Sequence, residues 1–188
     1  MRTLALTALG LCLPLAPALS LDGSHRGARS AQEGEAPAPS EPDVWAPVRG
    51  LIGTWEGTSE GKFGPAELET TWELVLGGAF LQSRTRSVSR NEVHEDLGML
   101  SYDRERERFV FRAFYSEGYV NRYLVSISED GRTLQLETES VENGLAPGLR
   151  ARNTIVLTGS DVLTTSLSLA AGGDPYELCV SSRLMRKR

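Results

Sequence analysis

The sequence predicts an all-β domain, a single antiparallel up-and-down barrel of about ten strands entered through a short helix. Three observations predict it. From Thr54 onward, apolar and polar residues alternate in segments of strand length. Turn-forming residues separate those segments at short, regular intervals. No stretch has the length and helical period of a crossover connection, so successive strands pair as antiparallel neighbours. Closure of that many strands into a barrel removes the exposed edges an open sheet would carry.

The elements follow in order. Asp43 can cap a short helix whose apolar side is Trp45, Val48, Leu51 and Ile52. Pro47 is tolerable near the start of such a helix, and Gly50 and Gly53 mark its end. The predicted strands are Thr54–Gly61, Ala66–Leu76, Ala79–Ser89, Glu92–Tyr102, Arg108–Tyr115, Gly118–Ile127, Thr133–Ser140, Leu149–Leu157, Val162–Leu169 and Glu177–Arg186. Gly77-Gly78 and Asp130-Gly131 suit two-residue hairpins. Arg90-Asn91, Asp103-Arg104-Glu105, Glu117-Gly118, Asn143-Gly144, Gly159-Ser160-Asp161 and Gly172-Gly173-Asp174-Pro175 supply further turns.

Two segments precede the barrel, which occupies residues 44–188. Residues 1–20 read as a secretory signal peptide: Arg2 is the positive flank, Leu4 to Leu15 the apolar run, and Ala16-Pro17-Ala18 and Ala18-Leu19-Ser20 are small-residue cleavage sites. The run is short for a membrane helix, and Pro14 and Pro17 interrupt it. Leu11 before Cys12, and the apolar run after it, argue against a lipid anchor. The expectation is an exported, periplasmic or extracellular protein with no stable membrane anchor after cleavage. Residues 21–43 hold almost nothing to bury and read as a disordered linker, with Ala36-Pro37-Ala38-Pro39-Ser40-Glu41-Pro42 an extended spacer.

Composition narrows the function classes. Net charge is −5 and Lys and Arg are scattered, so no nucleic-acid partner is expected. Arg186-Lys187-Arg188 reads as a solvated tail. Cleavage would leave Cys179 as the only cysteine, packed as a small hydrophobe, and no intrachain disulfide. The two histidines, His25 and His94, leave little for acid–base or metal chemistry.

The strand faces carry the remaining signal. Leu68, Trp72, Leu74 and Leu76 share one face of their strand, and Glu67, Glu69 and Glu73 the other. Several arginines sit among apolar residues: Arg84 and Arg86 with Phe80, Arg112 with Val110 and Phe114, Arg150 and Arg152 with Val156, Arg183 with Cys179 and Met185. They are either solvent-facing, their stems covering apolar surface, or inward polar groups of a partly filled barrel. Glu92, His94 and Asp96 project to one side of their strand. Because Val93, Leu97 and Met99 occupy the other, the alternation assigns the acidic–histidine row to the outer face. No phosphate loop, paired-cysteine metal site or nucleophile elbow is present, and no catalytic residue is assigned.

Gly53-Thr54-Trp55, the run Trp72-Glu73-Leu74-Val75-Leu76-Gly77-Gly78-Ala79-Phe80-Leu81, and Tyr102-Asp103 resemble a large uncharacterised bacterial family of calycin-like barrels, related to lipocalins and fatty-acid-binding proteins. The resemblance spans roughly residues 46–188. The opening Gly53-x-Trp55-x-Gly57-x-x-x-Gly61-x-Phe63-x-Pro65 also resembles the start of the nitrobindin-type haem-binding barrel. That resemblance implies haem held by a histidine near the C-terminus, whereas residues 95–188 contain none. Cys179, Met185 and Tyr176 are the other axial donors in that part of the chain. No cofactor is therefore expected, and histidine-ligated haem with peroxynitrite chemistry stands as the alternative.

The functional expectation is a non-catalytic binding protein that holds a small apolar or amphipathic molecule, with arginines to face an anionic end. The candidate ligand-binding residues are Trp72, Arg84, Arg112, Tyr123, Arg152 and Arg183. An enzyme using His94, Tyr123 or Cys179, and an interaction domain whose barrel is filled, are the other classes. A register error of one residue would invert each choice of face.

Overall fold

The computed structural model describes residues 43–188 except 91 and 145–147. The segments expected to be a signal peptide (1–20) and a linker (21–43, all but Asp43) lie outside the described residues. The chain enters through a 3-10 helix, Ala46–Leu51, and then forms ten strands. These are β1 (Gly53–Gly61), β2 (Ala66–Val75), β3 (Phe80–Ser89), β4 (Glu92–Asp103), β5 (Arg108–Tyr115), β6 (Val120–Ile127), β7 (Thr133–Glu142), β8 (Leu149–Thr158), β9 (Val162–Ala171) and β10 (Glu177–Arg186). Each strand pairs with its neighbours in sequence, and β1 pairs with β10, so the sheet is a closed antiparallel barrel.

Closure brings the first and last strands very close. A side chain on Gly57 would collide with the backbone of Arg183 and Leu184, and one on Gly61 with the carbonyl of Cys179. Glycine at these positions lets β1 bend across β10. Cys179 is the extra residue of a bulge, since Leu178 pairs with Ser168 and Val180 with Leu167. It is buried, and its carbonyl accepts the Lys62 N–H at 2.8 Å. The Gly77-Gly78 turn is longer than a two-residue hairpin. Leu76 (φ 52°), Gly77 (69°) and Gly78 (86°) all adopt positive φ, and Ala79 completes the loop. The loop around Asp130-Gly131 is likewise longer, with Ser128 and Thr133 closing it through backbone bonds.

One end of the barrel is plugged. Trp45, Val48 and Leu51 of the entry segment pack into it beneath Trp55, Leu81, Leu100, Leu134, Leu163 and Leu184. Trp55 has no exposed surface. Its indole N–H donates to the Leu51 carbonyl at 2.8 Å, and that of Trp45 to the Gly78 carbonyl at 2.8 Å. Burying the rings therefore leaves neither donor unpaired. Asp43 does not cap the helix, whose N-cap is Trp45 without a side-chain cap; it accepts the Trp45 backbone N–H at 3.1 Å in the turn before a helix that is 3-10.

The C-terminal basic run is not a solvated tail. Arg186 is the last residue of β10, and its guanidinium lies 4.1 Å above the Trp55 ring. It donates to the carbonyls of Ile52 (2.6 Å), Gly50 (2.7 Å) and Ser160 (2.8 Å). The planar fork thus ties the end of the entry helix to two strand ends. Lys187 bridges Glu69 and Glu56 on the surface.

Candidate functional site

The inner faces of the strands change character along the barrel axis. Near the plug they are apolar and fully buried. Halfway up lies an aromatic floor, with Phe111 6.0 Å from Trp72 and 6.1 Å from Tyr123 between ring centroids. Phe111 lies over Gly98, where any side chain would collide with its ring and with Ser83 Oγ. Above the floor the inner wall mixes small polar residues (Ser83 and Thr85 on β3, Asp96 on β4, Asn121 on β6, Asn153 on β8, Ser182 on β10) with the apolar Leu68 on β2 and Leu167 and Leu169 on β9. Thr85, Asp96 and Asn153 keep partial exposure, whereas Ser83, Asn121 and Ser182 are buried. The His94 side chain, at the rim, retains 39%. The partial exposure of the inner wall lies at the end opposite the plug.

A hydrogen-bonded row crosses the mouth. Thr70 and Thr85 share a hydrogen bond at 3.0 Å, and the Thr85 hydroxyl also reaches Asp96. Asp96 stands opposite Tyr115, whose hydroxyl shares a 2.9 Å hydrogen bond with that of Tyr123. Tyr115 stacks on Tyr119 at 4.3 Å. Burial pushes the Asp96 carboxyl up to about 6, only partly offset by nearby His94 and by Thr85. Burial likewise pushes the Tyr119 hydroxyl up to about 12 and raises Tyr115 and Tyr123, so all three remain neutral. At the rim, His94 Nδ1 lies 2.6 Å from Glu117 Oε1. Burial works to raise Glu117, but the His94 hydrogen bond and backbone contacts hold it below the usual carboxylate range.

Asn121 is 5% exposed and faces inward beside Ala113. Its Nδ2 donates to Thr138 Oγ1 at 3.2 Å. Thr138 Oγ1 donates to the Ala151 carbonyl and accepts from the Ala151 N–H, so it can only accept from Asn121. That network fixes the amide orientation and leaves Asn121 Oδ1 buried with no hydrogen-bond partner.

Of the six residues chosen from the sequence, Trp72 and Tyr123 face the lumen, and the structure brings them together at the aromatic floor. The four arginines do not join them. Arg84, Arg112, Arg152 and Arg183 lie on the outer face, because Ser83, Thr85, Ala113, Ala151 and Leu184 occupy the inward positions beside them. Arg84 bonds Gln82 at 3.0 Å. Arg112 stands directly across from Arg122. Arg152 lies 4.0 Å above the Tyr176 ring and 3.4 Å from Glu137. These are stems covering apolar surface, with heads in or near water.

The assignment of β4 is also reversed. His94 and Asp96 point inward, while Val93 is 51% exposed and Leu97 and Met99 are on the outer face. Leu97 and Met99 are sheltered by neighbours such as Phe114 and Arg112, so an apolar row sits outside and a polar row lines the lumen. The other donors named from the sequence are dispersed. Tyr176 lies on the outer wall between Arg150 and Arg152, Met185 is exposed, and Cys179 is at its bulge. Among the described residues no three His, Cys, Asp or Glu side chains gather to hold a metal ion. Nor is any helix among them long and apolar enough to cross a membrane.

The fold and this geometry define a class: a closed ten-stranded antiparallel barrel, plugged at one end, with an apolar floor and a polar mouth. The chain belongs to the DUF1579 family of proteins of unknown function, whose family model matches residues 46–186. No curated protein matches it. Among solved structures, the chain is similar to Rv2717c from M. tuberculosis, with 20% identity, a TM-score of 0.59, and coverage of 78% of this chain and 99% of that one. It also matches the S-type phycobiliprotein lyase CPES from Guillardia theta at 15% identity and a TM-score of 0.48, covering 74% and 89%. At such identities the likeness shows the fold alone.

Proposed function

We propose that this protein is an exported, non-catalytic carrier that holds a small amphipathic molecule in the barrel lumen. The apolar body of the molecule rests on the floor formed by Trp72, Phe111 and Tyr123, and its polar end meets the row around Asp96 and Tyr115. The single observation carrying this reading is the axial gradient. Inner positions pass from complete burial at the plug to partly exposed hydroxyl, amide and carboxyl groups at the mouth. Mostly apolar walls with a few convergent polar groups are what a small-molecule site requires. Asp96 strengthens the argument, because a carboxyl with a raised pKa inside a barrel costs stability and serves no packing need. The outer-face arginines withdraw the support for an anionic head group.

Native mass spectrometry of the protein purified from its own host tests the reading. The expected result is a bound small molecule that denaturation releases. A chain that carries nothing and takes up no apolar probe would contradict it. Export is tested separately, by locating the chain in a periplasmic or culture fraction and sequencing its N-terminus.

A further inference from the structure

Lumenal binding leaves open which head group the mouth accepts. Among the described inner positions above the plug, none is Lys or Arg. The inner wall beside the tyrosines carries the Asp96 carboxyl and, at the rim, His94, which lies 5.9 Å from the Tyr115 ring and pairs with Glu117 at 2.6 Å. Asn121 presents its oxygen, not its amide nitrogen, as the unsatisfied atom, because the Thr138–Ala151 network has already used the nitrogen. Asp96 lies across from Tyr115, and Asn121 lies across from Ala113, two residues before Tyr115 on the same strand. An acceptor that is buried and unpaired costs on the order of 1–3 kcal/mol unless a ligand or water supplies a donor.

Resting on the lumenal-binding reading, we propose that the lumen selects amphiphiles whose head group donates hydrogen bonds, a protonated organic amine above all, through Asp96 and the free oxygen of Asn121. An ammonium group offers three donors and a positive charge, and so satisfies both acceptors. The neighbouring aromatic faces of Tyr115, Tyr119 and Tyr123 add to cation binding. A carboxylate head group brings only acceptors and meets a like charge at Asp96.

The test is displacement of the neutral dye Nile red from the full chain by dodecylamine, dodecanol and dodecanoate, below their micellar concentrations. At about pH 7.5 the first is a cation and the last an anion. The expected order is amine, then alcohol, then carboxylate, with at least a tenfold gap between the extremes. Asp96→Asn should close that gap to about threefold or less, with an unchanged far-ultraviolet spectrum and a cooperative urea melt showing that the variant is folded. Asn121→Leu, a second route, should weaken dodecylamine several-fold and leave dodecanol within twofold. A carboxylate that binds as tightly as the amine, or a gap that survives Asp96→Asn, overturns the selectivity while leaving lumenal binding intact. Failure of Nile red to bind saturably to the unmodified chain would instead remove the lumenal reading itself.

Discussion

The two ends of this barrel solve opposite problems with the same strands. At the plugged end, Trp45, Val48, Leu51 and Trp55 fill the interior, both indole N–H groups are satisfied, and Arg186 locks three backbone carbonyls. At the mouth, the same strands present hydroxyls, two amides and a carboxyl with raised pKa. Stability is concentrated at one end, so the other can keep polar groups whose burial costs free energy. The contrast explains why an interior lined by Ser and Thr coexists with a core of Trp and Leu.

The contrast can be broken most severely at the plug. Trp55→Ala should cost about 3–5 kcal/mol in urea unfolding, by lost burial and the cavity left behind. Ser87→Ala, an inward residue at the mouth, should stay within about 0.5 kcal/mol. Arg186→Met keeps the stem over Trp55 but strands the carbonyls of Ile52, Gly50 and Ser160. It should cost about 2–4 kcal/mol, read as a lowered Tm with an unchanged mouth.

Asp96 sharpens the comparison from the other side. Its folded pKa of about 6 lies above the ordinary value of 3.8, so between those values the folded state holds more protons than the unfolded one. The contribution favouring folding is full below the lower value and disappears as pH rises through about 6. Between pH 4 and 7, wild-type stability should therefore fall relative to Asp96→Asn by on the order of 2–3 kcal/mol, measured by urea melts across that range. Tyr115, Tyr119 and Tyr123 face the same carboxyl but stay neutral throughout. His94 and Glu117 act on Asp96 from the rim, so a His94→Gln background removes one of these neighbours and isolates the Asp96 component. The smallest effect belongs to the outer wall. Arg112 stands directly across from Arg122, and Arg112→Gln should stabilise by about 0.2–0.5 kcal/mol and leave dye binding unchanged.

Most strand boundaries were legible in the sequence because turn chemistry and alternation agree. The β5 and β10 limits match residue for residue, and the other strands differ by one or two residues at an end. Which face points inward was legible only where the interior is apolar, as at Leu68, Trp72 and Leu74 of β2. Where the lumen is polar, the usual signal inverts. On β3 the inward Ser83, Thr85 and Ser87 are no more apolar than the outward Gln82, Arg84 and Arg86. On β4 the outward Val93, Leu97 and Met99 are more apolar than the inward His94 and Asp96. One clue was available: Gly98 and Leu100 share the His94–Asp96 parity, and a glycine in a strand marks a close approach, here that of Phe111. The role of Arg186 had no local signal, since its partners are more than twenty residues distant along the chain.

The central claim is that the mouth opens into a ligand-sized lumen, and Nile red binding to the unmodified chain and to Thr85→Trp tests it most directly. Thr85 is a half-buried inward residue between Thr70 and Asp96, so an indole there would occupy the space assigned to the ligand. The expected result is saturable binding of one dye per chain with blue-shifted emission, lost in Thr85→Trp while the far-ultraviolet spectrum and Tm are kept. Absence of saturable binding, or binding that Thr85→Trp leaves unchanged, would contradict the account.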